Sequence, residues 1–140
     1  MSKYDIIFSA DASKKGELLE IIKKYRFGLS PLKMAATEST ALYIKLMTGL
    51  SVESLEDGTS GGYVQISKHV ESIDVRIVIF LFNPCSMQLS DPGVETLLKS
   101  CFIFNIPLAN NRATTEFVLE RFLERQMVIQ SRCPEASSIY

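Results

Sequence analysis

Between residues 74 and 82 the chain reads DVRIVIFLF, apolar almost throughout. A strand of that kind is covered on both faces, as the central strands of parallel sheets are. It is the strongest core strand in the sequence, and the flanking segments supply the helices to cover it. YDIIFSA (residues 4–10) is a short apolar run, and KKGELLEIIKKY then sets Leu18, Leu19, Ile22 and Tyr25 on one helical stripe. LKMAAT reads as a second strand and STALYIKLMTGL as a second helix, stopped by Gly49, where a left-handed C-cap residue is favoured. VESLE is a weak third strand, followed by a Gly-rich turn and a helix near YVQISKHVES. Beyond the central strand come the proline-bracketed loop NPCSMQLSDPG, the helix VETLLKSCFIF, the strand IPLAN and the helix TTEFVLERFLERQ. This strict alternation predicts an α/β fold: a single doubly wound, three-layer domain with a five-stranded, mainly parallel sheet and helices on both faces.

A chain of 140 residues fits one such domain, long enough to bury about two-thirds of the surface its unfolded form exposes. We assign the domain to residues 1–126 and read 127–140, which contains SRCPEASSIY, as a C-terminal tail. The 15 lysines and arginines are scattered and balanced by 16 aspartates and glutamates, so no electrostatic footprint for duplex nucleic acid stands out. Cys85, Cys101 and Cys133 are odd in number and widely spaced, which fits neither a zinc site nor a disulfide framework and reads as reduced thiols. The N-terminal apolar run is too short for a signal peptide, and no run approaches the ~20 apolar residues of a membrane span. The expectation is a cytoplasmic protein with no membrane partner, metal or cofactor.

In a doubly wound sheet, ligands bind beyond the carboxyl ends of the strands. The loops that converge there are SADASK, ATEST, EDGTSGGY, NPCSMQLSDPG and ANNRAT. Taken in order, they resemble the methylglyoxal-synthase-like family, from about Asp5 to Phe117. The resemblance is carried most specifically by GGYVQISKHVESIDVRIVIFLFNP and SDPGVETLLKSCFIFNIPLANNRATTEF. The family pattern has Gly-Gly-Asp before the third helix, an apolar strand ending in Asp-Pro, a His-Asp-Pro-Asp loop, and an Asn-Ile-Pro strand leading to Asn-x-Ala-Thr.

The resemblance implies an enzyme that turns dihydroxyacetone phosphate into methylglyoxal and phosphate, or a regulatory domain that binds a nucleotide. The reaction takes a proton from the carbon next to a carbonyl and then expels phosphate from the enediolate. It needs a carboxylate base, a second acid–base group and a donor for the developing oxyanion. Against that pattern, Tyr63 stands at the position of the base, Ser90 at that of the histidine and Gly93 at that of the second aspartate, with Asp91 and Pro92 kept between them. A phenol of ordinary pKa ~10 is a poor base at neutral pH, and losing a base costs ~10²–10⁴-fold in rate.

The phosphate-binding elements implied by the resemblance are better kept. Lys14 matches a family lysine, and Thr37, Ser39 and Thr40 match a hydroxyl-rich loop at a helix N-terminus, a place that favours anions. Glu38 replaces a glycine there, and Asp57 stands where the pattern has a serine, ahead of Gly58, Gly61 and Gly62. Asn111 matches an asparagine; Arg112 is either a further phosphate donor or a solvated side chain. Tyr63 is either a surface or subunit-contact aromatic or a flat face for a nucleobase.

Asp11 is a site residue or a helix cap, and Asp91 a base or the organiser of its own turn. His69, far along its helix, reads as solvent-facing or interfacial, and Cys85 as a small apolar residue more than a reactive thiol. The family's hexameric assembly implies a homo-oligomer in which Arg125 or Arg132 reaches a neighbour's phosphate site. The leading expectation is a catalytically silent domain that senses or sequesters a small phosphorylated molecule, such as a nucleotide. The alternatives are an enzyme, either a methylglyoxal synthase or a diverged phosphate lyase or hydrolase using Asp11, Asp57 or Asp91 as base, and a structural subunit of an oligomer.

Overall fold

The computed structural model describes residues 2–58, 61–85 and 91–132. Ser90 and Cys133 lie outside the described residues, as does the side chain of Arg132. Five strands form one sheet: β1 (Tyr4–Ala10), β2 (Met34–Thr37), β3 (Glu53–Leu55), β4 (Val75–Leu81) and β5 (Leu108–Ala109). Their spatial order is β3-β2-β1-β4-β5, and every pairing is parallel. The helices are α1 (Lys15–Lys24), α2 (Arg26–Leu29), α3 (Glu38–Thr48), α4 (Gly62–Glu71), α5 (Pro92–Ile103) and α6 (Arg112–Arg132). The doubly wound α/β reading of the sequence is thus the observed fold, with a sheet that is parallel throughout.

All seven residues of β4 are buried, and the two-residue period explains why the run is apolar on both faces. Ile77, Ile79 and Leu81 join Ile6 and Phe8 of β1 in a core capped by Leu18 and Ile22 of α1, Ile44 of α3 and Phe122 of α6. Val75, Val78 and Phe80 join Ile7 in a second core capped by Ile66 and Val70 of α4 and by Val94 and Leu97 of α5. One face therefore carries α1, α3 and α6 and the other α4 and α5.

Three local features depart from the sequence reading. Ala12–Lys14 form a 3₁₀ turn ahead of α1. The four-residue α2 buries Leu29 in the segment after Tyr25, where the sequence reading has no element. Helix α6 runs on past Gln126 to Arg132. Gly49 does close α3 in the left-handed region, at φ 73°, where glycine pays no Cβ penalty.

The chain builds β1, β2 and β3 outward in one direction and then returns to lay β4 and β5 on the other side of β1. The carboxyl ends of β1 and β4 are therefore the topological switch point, where such sheets open a crevice.

Candidate functional site

The switch point is laced shut by Asp11, the residue after β1. Its backbone N–H donates to the Leu81 carbonyl at the end of β4 (3.1 Å). Its carboxylate accepts from the Asn83 N–H at 2.7 Å, and from the N–H and hydroxyl of Ser13 at 3.0 and 2.6 Å. Burial pushes the Asp11 carboxyl upward, but the bonds from Ser13, Asn83 and Lys14 outweigh it and hold the pKa below the ordinary value. Both oxygens are thus occupied, Oδ2 in joining the ends of β1 and β4 and Oδ1 in capping the turn at Ser13.

Next to it, the end of β2 feeds α3 through a buried hydroxyl network. Ser9 Oγ lies 3.2 Å from Thr37 Oγ1, Thr37 Oγ1 donates to Thr40 Oγ1 at 3.3 Å, and Thr40 Oγ1 sits 3.2 Å from both the N–H and the carbonyl of Ala10. Thr37 is the N-cap residue, yet it makes no side-chain cap bond, because its hydroxyl is used sideways. The first-turn N–H groups of this eleven-residue helix keep no side-chain cap, so the end that best accommodates an anion is open. Ser39 is exposed there, and so is Glu38.

The lysine that reaches this edge is Lys15. Its ammonium donates to the Ala10 carbonyl at 2.7 Å. Burial lowers its pKa, while the charges of Asp11 and Asp57 act against that fall. Lys14, the sequence candidate, is half-buried at the N-cap of α1, and its ammonium makes no hydrogen bond or ion pair among the described residues. Neighbouring positions on a helix point about 100° apart, so one residue of register decides which lysine turns inward.

The loop after β3 completes the edge. Gly61 is the α4 N-cap at φ 109°, a conformation that suits glycine. The Gly62 N–H donates to the Asp57 carbonyl at 2.8 Å; a Cβ at Gly62 would fall 2.3 Å from the Glu56 carbonyl oxygen. These glycines are required by backbone geometry. Asp57 is exposed, and its carboxylate receives no hydrogen bond among the described residues, although its charge bears on both Lys15 and Tyr63.

Tyr63 is 7 % exposed. Its ring packs on Phe80 with centroids 5.3 Å apart and fills the space above Gly58, where a Cβ would come within 2.6 Å of its Cζ. This corrects the reading of Tyr63 as a surface aromatic: the ring belongs to the core under α4 and α5, and the same burial leaves little face on which a nucleobase could stack. Its pKa is raised by burial first, then by the charges of Asp91, Asp57 and Asp11.

Other candidates have structural duties. Asp91 caps α5, accepting from Gly93 N–H at 2.9 Å and Val94 N–H at 3.3 Å. Asn111 accepts from the Thr114 N–H at 2.9 Å at the start of α6. Arg112 is not delivered to the site: its guanidinium pairs with Glu20 and Glu116, tying α6 to α1. His69 bonds Asp74 at 2.9 Å, at the amino end of the sheet. Cys85 is exposed beyond β4, and its N–H is held by the Asn83 side chain. Among the described residues no group of three His, Cys, Asp or Glu is arranged to hold a metal ion, and no helix is long and apolar enough to cross a membrane. Arg125 lies away from the strand ends, in an apolar groove of about 310 Å³ with Ile77, Pro107, Phe117 and Phe122.

The fold and its edge define a class: a doubly wound α/β domain whose switch point joins a helix N-terminus without a side-chain cap, an inward ammonium and a carboxylate that receives no hydrogen bond among the described residues. No protein-family model matches the chain. It is 37% identical over 118 residues to a methylglyoxal synthase of Natranaerobius thermophilus, spanning 84% of this chain and 98% of that protein. It is 34% identical over 120 residues to a methylglyoxal synthase of Burkholderia multivorans, covering 86% and 92% of the two chains. The crystal structure of methylglyoxal synthase from Elizabethkingia anophelis NUHP1 superposes with a TM-score of 0.73 at 26% identity, over 85% of this chain and 79% of that one. The chain belongs to the methylglyoxal synthase family. These relatives favour the enzyme alternative of the sequence reading over the expectation of a silent binding domain.

Proposed function

We propose that the chain is a phosphate lyase of the methylglyoxal synthase type, acting on a small phosphorylated ketone at the switch point, with Asp57 as the base. The observation that carries this reading is the state of Asp57: an exposed carboxylate with no hydrogen bond among the described residues, near enough to Lys15 and Tyr63 for its charge to act on both. Asp11 accepts on both oxygens as a link between loops, and Asp91 is held at the α5 N-cap through Oδ1. A base has to be free to receive the proton. The substrate phosphate is met by the N–H groups at the start of α3 and by the Lys15 ammonium, an arrangement suited to a leaving anion. The family's named activity makes dihydroxyacetone phosphate the substrate to try.

The test is phosphate and methylglyoxal release from dihydroxyacetone phosphate by the purified chain and by Asp57→Asn. The proposal expects turnover in the first and a loss of at least about 10²-fold in the second. Turnover that survives in Asp57→Asn refutes the assignment of the base.

Capture without turnover is the second reading, and the burial of Tyr63 after the Gly61–Gly62 pair favours it: where the family pattern has a carboxylate, this chain has a packed phenol. It expects thermal stabilisation by phosphorylated ligands, nucleotides included, with no phosphate released. In either case we assign homo-oligomer contacts to the α6 groove, where Phe117 is 75% exposed. Light scattering of the wild type against Phe117→Glu tests that surface, a smaller particle in the variant being the expected result.

A further inference from the structure

Tyr63 joins an immobile ring to an unused hydroxyl. The ring rests on Phe80 and is boxed by two glycines. A Cβ at Gly58 would lie 2.6 Å from Cζ and 2.7 Å from the hydroxyl oxygen, and one at Gly93 would lie 3.4 Å from the tyrosine Cβ. Any larger residue at position 58 would push the ring out of this slot. The hydroxyl itself makes no hydrogen bond among the described residues, and it is not among the fully buried polar atoms that lack a partner. Among the described residues it is thus not fully enclosed, and it lies against Gly58, the residue that follows Asp57.

The surroundings of that hydroxyl are acidic, since the carboxylates of Asp91, Asp57 and Asp11 all act on it. Burial and these charges keep the phenol protonated at neutral pH. They also set a problem for enolisation at this edge. The proton lost to a carboxylate leaves negative charge on the substrate's carbonyl oxygen, in a region already rich in negative charge. Lys15 spends one of its donors on the Ala10 carbonyl, so a neutral donor aimed at that oxygen is the missing part.

We propose that the Tyr63 hydroxyl is that donor, hydrogen-bonding the substrate's carbonyl oxygen and stabilising the enediolate formed there. The inference rests on the reading of Asp57 as base. In the step, Asp57 takes a proton from the carbon beside the carbonyl. The C–H electron pair becomes the C=C bond, and the carbonyl pair moves onto oxygen, where the Tyr63 O–H holds it without giving up its proton. Phosphate is then expelled as the hydroxyl on the deprotonated carbon gives its proton to solvent: that O–H pair becomes the aldehyde C=O, the C=C pair shifts to the phosphate-bearing carbon, and the departing C–O pair leaves with the phosphate toward Lys15 and the α3 N-terminus. The remaining enolate of methylglyoxal takes a proton from solvent on the carbon that bore the phosphate. A preorganised donor of this kind is worth about 10²–10³-fold in kcat.

Tyr63→Phe is the direct test, because it keeps the ring on Phe80 and removes only the hydroxyl. With dihydroxyacetone phosphate, kcat should fall about 10²-fold while KM stays within about threefold. The variant should melt with the wild type, and its affinity for inorganic phosphate should be unchanged. Its affinity for 2-phosphoglycolate, a planar carboxylate mimic of the enediolate, should drop at least about tenfold relative to the wild type. Full kcat in Tyr63→Phe with a dead Asp57→Asn overturns the role of Tyr63 and leaves the base in place. If the wild type turns nothing over, equal 2-phosphoglycolate affinity in the wild type and Tyr63→Phe overturns it as well.

Discussion

The two ends of the sheet handle polar groups in opposite ways. At the amino end, Asp5 accepts from the Lys33 N–H at 2.9 Å and lies 3.7 Å from the buried Arg76 guanidinium. His69 bonds Asp74 at 2.9 Å while its ring meets that of Tyr4 edge-on at 5.2 Å. The Tyr4 phenol is pushed up to about 12 by burial and by its bond to Glu53. There, ionisable groups hold elements together. At the carboxyl end the Asp57 carboxylate and the Tyr63 hydroxyl have no hydrogen-bond partner among the described residues, and Lys15 bonds only a carbonyl. Unspent hydrogen-bonding capacity costs stability, and the open carboxylate and hydroxyl mark the carboxyl end as the working one.

That contrast is open to breakage, and the hardest blow is to the backbone of the working end. Gly62→Ala should cost about 3 kcal/mol or more and abolish any response to dihydroxyacetone phosphate, because its Cβ would lie 2.3 Å from the Glu56 oxygen and 2.8 Å from that of Asp57. A urea melt reads the cost. Gly16→Ala in α1, with nothing within 4 Å, should instead stabilise by about 0.5–1 kcal/mol.

Single polar deletions come next and should separate the two ends. His69→Ala removes both the Asp74 bond and the Tyr4 contact, and should lower stability by about 1 kcal/mol with turnover untouched. Asp57→Asn should do the reverse, leaving the melt within about 0.5 kcal/mol and removing activity. Equal stability losses in both would erase the distinction between the ends.

A smaller effect is expected in the pH dependence of folding. The Asp11 carboxyl is held below its ordinary value in the folded chain, so its contribution is complete above the unfolded pKa of about 4 and is lost as pH falls through the folded value. Asp11→Asn should therefore flatten the acid limb of the stability profile below about pH 4 and leave the neutral region's slope alone. The least effect belongs to the surface clasp of Lys24 and Arg112 on Glu116. Glu116→Gln should leave the melting temperature unchanged at moderate salt, since exposed pairs are screened.

The architecture was legible because alternation of apolar strands with amphipathic helices leaves few topologies open, and β4 announced a core covered on both sides. Helix α2 was not, because a single turn has no period to detect. The end of α6 was missed because its last two turns carry mixed residues with no stop signal before Cys133. The glycines of the site were readable, since φ 109° at Gly61 and the crowded approach at Gly62 are backbone demands that leave a trace in composition.

Side-chain destinations were harder to read. Lys14 and Lys15 are adjacent and chemically identical, and only the phase of α1 turns one of them inward. Arg112 faces Glu20, 92 residues earlier, a pairing that no local pattern encodes. Asp11, Asp91 and Asn111 look like site residues and like caps for the same reason, a short oxygen-bearing side chain beside free N–H groups. Asp57 was one of three carboxylates the sequence offered as a base; what distinguishes it is that its carboxylate receives no hydrogen bond among the described residues.

The central claim is that Asp57 removes a proton from a bound phosphorylated ketone. Proton NMR of dihydroxyacetone phosphate in deuterated water, with the wild-type chain and with Asp57→Asn, reads that event whether or not phosphate leaves. The account predicts that the wild type speeds loss of the C–H signal, by deuterium exchange or by conversion to methylglyoxal, and that Asp57→Asn does not. A wild-type chain that is stabilised by the ligand while every C–H signal persists would contradict it and leave capture as the function.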